Sequence, residues 1–249
     1  MAVAVRHFKL TVEYEGTKFA GFQWQKDQRT VQGELEKTIA KVMQEPIRIL
    51  GAGRTDAGVH ATGQVIKFQT CNGIPVDRIP YALNAEMPSD IRIRRAEKTS
   101  AEFHPRYDAK SRRYAYLIDN KRFPSVLLRR VATHVPQRLD ADRMQLAADY
   151  LVGTHNFASF EAAGSDRTGS SVRDLTLFRV RRDGSRIRMG VVANAFLYKM
   201  VRNMVGTLIQ VGMGRVPSEH VGEIIESCNR KMAGPTAPPQ GLCLVKVSY

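Results

Sequence analysis

Residues 53–63 read Gly-Arg-Thr-Asp-Ala-Gly-Val-His-Ala-Thr-Gly, and the organisation of the first half of this 249-residue chain is built around them. They place one carboxylate, Asp56, in a glycine-rich turn between two apolar runs at 47–51 and 63–70. Aspartate is disfavoured inside strands, whereas glycine allows tight turns and the close approach of a ligand. We therefore predict two strands joined by a turn that presents Asp56. In an extended segment Arg54, two positions earlier, shares its face.

The remainder of the first half predicts the order β-α-β-β-α-β, the split βαβ arrangement of ferredoxin-like folds. Apolar residues alternate in the first strand, and then recur at near-helical spacing in a helix with Thr30 as its N-cap and Pro46 as its end. The predicted elements are a strand at 8–14, a helix at 31–42, the two strands around Asp56, a helix at 76–85 and a strand at 91–96.

The second half predicts the same order with longer insertions. Asp140 is expected to cap a helix that ends at Gly153, and loops are expected at Pro124, 162–171 and 234–239. The predicted elements are strands at 112–118, 172–181, 187–192 and 242–247, and helices after Asp140, at 199–211 and at 220–227. We expect an α+β protein with two ferredoxin-like halves, 1–105 and 106–249, that share a mainly antiparallel sheet.

The chain is strongly basic. It has 38 Lys and Arg against 24 Asp and Glu, a formal charge of +14. Such an excess favours a polyanionic partner, because neutralising phosphates releases condensed counterions. No long amphipathic basic helix is evident, so nucleic acid is favoured over a membrane surface. The window 78–130 alone has thirteen basic and six acidic residues, with Phe103, Tyr107 and Tyr114 interleaved as in an RNA-binding track.

Cysteine usage and the chain start indicate a cytoplasmic protein. Cys71, Cys228 and Cys243 are far apart, which argues against a disulfide framework or a cysteine-rich zinc site. The apolar stretch in residues 1–6 is too short for a signal peptide, and no segment is long enough to span a bilayer. We expect no membrane partner.

Common glycine-rich motifs do not account for the Asp56 turn. A dinucleotide-binding fingerprint fails because Asp56 stands at the position of its third glycine. A phosphate-binding loop fails because Val59-His60 stands at the position of its Lys-Ser/Thr pair. Two alternatives stay open at this point. Asp56 and His60 could bind a metal with His104, or Asp56 could only shape the turn by bonding nearby amides.

The whole string at 53–63 resembles the catalytic loop of the tRNA pseudouridine synthase A (TruA) family. Segments 112–116, 194–206 and 241–249 are similar to three further family motifs in the same order, and 103–106 and 156–160 also fit. The resemblance covers essentially the whole chain. It departs at Phe22, where a tryptophan is usual, and the chain stops at Tyr249 without the tail of some members.

The resemblance implies the pseudouridine synthase fold and the isomerisation of uridines 38, 39 and 40 in the tRNA anticodon stem-loop. It implies a homodimer and neither cofactor nor metal. Asp56 would be the catalytic nucleophile or base, and Arg202 the cation that keeps it charged. Arg54 would help to extrude the target nucleotide or hold its phosphate. Tyr114 would stack on the target base, and Leu242 would close the pocket on the other side.

Each of these residues also has an ordinary structural interpretation. Arg202 could be the solvated side of a helix, Arg54 one surface arginine among many, and Tyr114 with Tyr116 a packed pair on a strand. Two other functions remain. One is a non-catalytic RNA-binding protein that retains the fold and does not need Asp56. The other is a hydrolase, which would need a second carboxylate or a metal.

Overall fold

The computed structural model describes residues 5–164 and 169–249, and these fall into two units. The first unit comprises 5–110 and Leu244–Tyr249, and the second comprises Ser111–Cys243. The predicted fold class is confirmed: the architecture is α+β, with a large, mostly antiparallel sheet. The predicted loop at 162–171 and the chain start at 1–6 lie partly outside the described residues. The predicted division after residue 105 stays a prediction.

The first unit has the predicted β-α-β-β-α-β order. Its elements are β1 (Arg6–Tyr14), α1 (Val31–Met43), β2 (Leu50–Gly51), β3 (His60–Thr70), α2 (Ile79–Glu86) and β4 (Ile91–Thr99), with a 3₁₀ turn at Gly16–Lys18 and the end of β10 (Leu242–Ser248). Its strands run in the spatial order β4-β1-β3-β10, β2 pairs with β3, and β1 is antiparallel to both β3 and β4.

Local signals in the sequence explain most of these boundaries. Alternate side chains of β1, including Leu10, are fully buried, as expected for a strand with one face in the core. Thr30 caps α1 as predicted, since its Oγ1 accepts a hydrogen bond from the Gly33 N–H at 3.2 Å. The helix ends at Met43, one residue beyond the predicted range, because Gln44 adopts a left-handed conformation with φ 56°, and Pro46 follows shortly after.

The second unit follows the predicted order with two additional short strands. Its elements are β5 (Ser111–Asp119), β6 (Thr133–His134), α3 (Ala141–Asp149), β7 (Gly153–Asn156), β8 (Val172–Asp183), β9 (Arg186–Ala193), α4 (Met200–Gly212) and α5 (His220–Ser227). The strand β10 (Leu242–Ser248) begins in this unit and ends in the first. Four of the strands lie side by side in the order β5-β9-β8-β7, and β6 pairs with β5 in parallel.

One helix boundary in the second unit also differs from the prediction. Asp140 caps α3 as expected, since its Oδ1 accepts hydrogen bonds from the Asp142 and Arg143 amides, both at 3.0 Å. The helix nevertheless ends at Asp149, before Gly153. Gly153 has a φ of +120° and begins β7 instead.

The helices are short. Within the described ranges none is long and apolar enough to cross a membrane, and α1 and α4 have thirteen residues each.

An ion pair ties the segment before α1 to the start of β4. The Arg29 guanidinium donates two hydrogen bonds to the Asp90 carboxylate, at 2.7 and 2.9 Å, and a third to Glu34 at 2.7 Å. These bonds from Arg29 lower the pKa of Asp90, against the opposing effect of burial. The segment that precedes α1 is thereby fixed at its C-terminal end.

We expect Asp90→Asn to lower the free energy of unfolding by about 1 kcal/mol at neutral pH, because the pair is partly exposed. The folded pKa lies below the unfolded one, so this contribution exists above the unfolded pKa and is lost as pH falls through the folded pKa. Urea unfolding at a series of pH values measures it, with Asp77→Asn, an exposed carboxylate, as control. A difference in unfolding free energy between the wild type and Asp90→Asn that stays constant as the pH falls into the acid range would contradict this account.

Candidate functional site

Asp56 lies in the loop between β2 and β3, and the backbone of that loop is tightly held. The loop begins where the Ala52 N–H bonds to the Val65 carbonyl at 2.8 Å. It then turns where the Val59 N–H bonds to the Asp56 carbonyl at 3.1 Å, with Gly58 at φ 79°. Asp56 is partly buried. A fixed turn therefore presents the carboxylate, as the sequence predicted.

The residue between Arg54 and Asp56 faces the interior. Thr55 is 7% exposed, and its Oγ1 shares a hydrogen bond of 2.7 Å with the Tyr14 hydroxyl, which is also buried. Arg54, by contrast, is exposed and Asp56 is partly buried. Arg54 and Asp56 thus flank a residue that is anchored in the interior.

A second buried side chain holds the loop two residues earlier, at Gly53. Gln64 is fully buried, and its Nε2 donates to the Gly53 carbonyl at 2.9 Å. The same nitrogen lies 3.5 Å from the Tyr14 hydroxyl. We call Tyr14, Thr55 and Gln64 the loop clamp. Sequence reasoning missed Tyr14 and Gln64, although a glutamine within an apolar strand was a signal that its amide had a buried partner.

The segment before α1 packs under the same loop. The Phe22 N–H donates to the Thr55 carbonyl at 3.0 Å, and the Phe22 ring is buried against Gly51, where a Cβ would lie 2.6 Å from it. Gly21 has a φ of +103°, and a Cβ there would lie 3.0 Å from the Thr55 carbonyl oxygen. Because Gly21 has no side chain, the backbone approaches the loop more closely at this position than another residue type would allow.

We expect Tyr14→Phe to lower the free energy of unfolding by about 1 kcal/mol and to speed amide hydrogen exchange in residues 53–59. The variant leaves the Thr55 hydroxyl buried without this partner. Urea unfolding and exchange measured by mass spectrometry check both effects. Tyr81→Phe, which removes the hydroxyl of a 75% exposed tyrosine, is the matched control. Exchange as slow as in the wild type would show that the clamp does not hold the loop.

In the second unit, Tyr114 lies on β5 and Arg202 in the first turn of α4, and both are partly buried. The Tyr114 ring meets the Phe196 ring edge-on, with centroids 5.2 Å apart. The Arg202 Nε donates to the Ala237 carbonyl at 2.8 Å, and the Ala237 N–H returns a bond of 3.0 Å to the Arg202 carbonyl. Arg202 is therefore not simply the solvated side of its helix.

The segment that Arg202 holds leads directly into Leu242. A 3₁₀ turn at Pro239–Gly241 connects Pro238 to Leu242, which is 5% exposed as the first residue of β10. Arg202 therefore orients the segment that carries Leu242, and these two predicted residues are connected within one unit.

Tyr116 supports the same segment from β5. Its buried hydroxyl bonds to the Pro238 carbonyl at 2.8 Å and to Thr133 Oγ1 at 2.5 Å. A Cβ at Gly241 would lie 2.6 Å from the Tyr116 ring, so only glycine fits there. Burial raises the pKa of Tyr116 to about 12, although the Thr133 bond and the Arg202 charge oppose the shift. These contacts agree with the structural role expected for Tyr116.

The raised pKa of Tyr116 makes stability depend on alkaline pH. The hydroxyl contributes its full stability below the unfolded pKa of about 10 and loses it as pH rises through about 12. We expect Tyr116→Phe to be less stable than the wild type at pH 8, by about 1–2 kcal/mol, and the gap to narrow above pH 10. Urea unfolding across this range measures it, with the exposed Tyr150→Phe as control. A stability difference between the wild type and Tyr116→Phe that widens above pH 10 would contradict the raised pKa of Tyr116.

The two histidines considered as metal ligands bond to backbone amides. His60 Nδ1 accepts from the Gly16 N–H at 2.9 Å, and His104 Nδ1 accepts from the Arg106 and Tyr107 amides at 3.2 and 3.3 Å. In the part of the chain that the structure describes, no group of three or more His, Cys, Asp or Glu side chains is arranged to hold a metal ion.

Comparison with known proteins decides the family. A family model described as tRNA pseudouridine synthase matches residues 10–108 and 147–249. This chain belongs to the tRNA pseudouridine synthase family. The match includes Arg54, Asp56, Arg202 and Leu242, whereas Tyr114 lies in the interval between its two parts. The resemblance drawn from the Asp56 loop is thereby confirmed.

Relatives within this pseudouridine synthase family are similar over almost their full length. The tRNA pseudouridine synthase A of Acetivibrio thermocellus is 46% identical over 245 residues, which span 98% of this chain and 100% of that protein. The enzyme of the same name from Syntrophomonas wolfei is 46% identical over 97% of this chain and 96% of its own. The crystal structure of a Cbf5-Nop10-Gar1 complex is matched at 10% identity and a TM-score of 0.36, over 95% of this chain and 57% of that one. A likeness this weak carries no argument here.

Proposed function

We propose that this protein is an isomerase that converts uridine to pseudouridine in tRNA, with Asp56 as its catalytic carboxylate. The reaction breaks the N1–C1′ bond, rotates the freed base and joins C5 to C1′. The proton on C5 is then lost and N1 gains one, so nothing is oxidised or hydrolysed and the base keeps its atoms. The observation that carries the proposal is the clamped loop, which holds Asp56 in a fixed turn in a chain of this family.

An aspartate in this position suits the chemistry at C1′. A carboxylate can attack the sugar as a nucleophile or remove a sugar proton as a base. The loop clamp reduces the freedom of the carboxylate before substrate binds, which lowers the entropy to be lost in the transition state. Both chemical roles fit this arrangement.

The other site residues are proposed by family resemblance and by their surroundings. By that resemblance we propose Arg202 as the cation of the site and Leu242 as the residue that closes one side of the base pocket. Tyr114 stacks on the target base, and a partly buried ring on a strand suits this role. Arg54 is exposed beside Asp56, where it can hold a phosphate of an extruded nucleotide.

We propose the substrates to be uridines 38, 39 and 40 in the anticodon stem-loop, the substrates of the family that the sequence resembles. Three uridines at successive positions cannot be selected by one sequence, so recognition has to use RNA shape and backbone. The formal charge of +14 supports such phosphate-directed binding. A homodimer that contacts one tRNA with both subunits, and a cytoplasmic location, complete the proposal.

The rival functions make different demands on the Asp56 loop. A non-catalytic RNA-binding protein would use the basic surface and have no need of a clamped carboxylate. A glycosidase would need a second acid, and none lies within the loop of residues 52–59. The isomerase accounts for both the charge and the clamp.

Tritium release from RNA tests the function. We expect the wild type to release tritium to water from tRNA labelled at C5 of the uridines in the anticodon stem-loop. Asp56→Ala should bind the same tRNA and release none above background, because the carboxylate is lost. Arg54→Ala should bind more weakly and retain partial release, which separates its role from that of Asp56.

The matched control for the carboxylate is Asp27→Ala, which removes an exposed acid in the same unit. It should release tritium at the wild-type rate. Binding without release by the wild type would favour the RNA-binding alternative. Equal release by the wild type and Asp56→Ala would remove Asp56 from the mechanism.

A further inference from the structure

Trp24 is the one tryptophan of the chain, and it is 53% exposed. It lies in the segment before α1, two residues after Phe22. Phe22 lies in the core, 4% exposed, whereas Trp24 lies at the surface. Single exposed apolar side chains are ordinary on protein surfaces, so exposure alone indicates nothing. The surroundings of this ring carry the inference.

Hydrogen bonds hold the backbone at Trp24 in place. The Trp24 N–H donates to Gln32 Oε1 at 3.0 Å, and the Gln32 N–H donates to the Phe22 carbonyl at 2.8 Å. The indole Cδ1 lies 3.5 Å from the place that a Cβ on Gly33 would occupy, so the ring lies beside the first turn of α1. The exposed ring is therefore carried by a structured backbone, which limits the conformational entropy that is lost when a partner binds.

The ring also lies close to the catalytic loop. Phe22 bonds through its backbone to Thr55, the residue before Asp56, and two residues of chain span at most about 7 Å between Phe22 and Trp24. Lys18 and Lys26, on either side of the segment in sequence, are exposed. A fixed aromatic face with nearby cations is the combination that binds unpaired nucleotides, since every base has a face that can stack.

We propose that Trp24 is a stacking platform for an unpaired base of the substrate RNA, next to the uridine on which Asp56 acts. The inference rests on the proposed function for the identity of the RNA and adds a contact within the first unit. An anticodon loop offers unstacked bases beside its stem, and these are what single-strand recognition uses. Trp24 contributes binding energy and does not take part in bond making.

Tryptophan fluorescence tests the contact directly, because no other residue of the chain contributes to it. We expect the fluorescence of the wild type to be quenched on titration with an unmodified anticodon stem-loop RNA, since stacking places a base against the indole. A fully paired RNA hairpin closed by a short chemical linker is the control ligand and should quench far less. Unchanged fluorescence at saturating stem-loop RNA overturns the proposal.

Kinetics measure what the contact contributes. We expect Trp24→Ala to raise KM for the stem-loop RNA about 5- to 150-fold and to leave kcat near the wild-type value, the range that base–aromatic stacking supports. Trp24→Phe keeps an aromatic face and should recover part of the affinity. Tyr81→Ala removes a 75% exposed ring elsewhere in the unit and should change neither constant.

The outcomes separate this inference from the proposed function. A wild-type KM in Trp24→Ala, measured on active enzyme, overturns the stacking role and leaves the isomerase intact. A wild type that shows no tritium release but whose fluorescence is quenched by the stem-loop removes the isomerase and supports Trp24 as an RNA contact. A lowered kcat at unchanged KM in Trp24→Ala also contradicts the inference, because it would place the residue in the chemistry.

Discussion

The hydrogen bond between the buried hydroxyls of Tyr14 and Thr55 controls which way the loop after β2 faces. Thr55 cannot turn outward without leaving a polar group unpaired in the interior, which costs about 1–3 kcal/mol. Thr55 is thereby held inward, between the exposed Arg54 and the partly buried Asp56. Gln64 adds a second restraint at Gly53, so both residues that flank Arg54 are tied to the core. The position of the turn that carries Asp56 is thus a property of the fold of the first unit.

The second unit uses the same principle on a different segment. The side chains of Arg202 and Tyr116 bond to the carbonyls of Ala237 and Pro238, which lie in a proline-rich stretch. A buried carbonyl needs a specific hydrogen-bond partner, and Arg202 and Tyr116 supply these partners. The stretch therefore follows one backbone path into β10, and that path positions Leu242. In both units, side chains from regular elements orient an irregular segment that carries a proposed site residue.

Much of the fold could be predicted because its signals are local. The alternation in β1 and the caps at Thr30 and Asp140 each require only a few neighbouring residues, and all three are found where expected. β6 and β7 have two and four residues, too few for a periodic pattern, and were not predicted. The end of α3 was predicted at Gly153 and lies at Asp149, because a residue that can stop a helix does not fix where the helix stops.

The sequence by itself determined the family, the order of elements in the first half and the residue, Asp56, around which the function is proposed. Those conclusions needed only residue types at fixed spacings, which a chain carries in any conformation. Tertiary structure alone decided that Tyr14 and Gln64 hold the loop and that Phe22 is buried while Trp24 is exposed. It also decided that Arg202 bonds to a residue 35 positions away. Contacts between residues far apart in sequence depend on how the chain is brought together, and no local pattern records them.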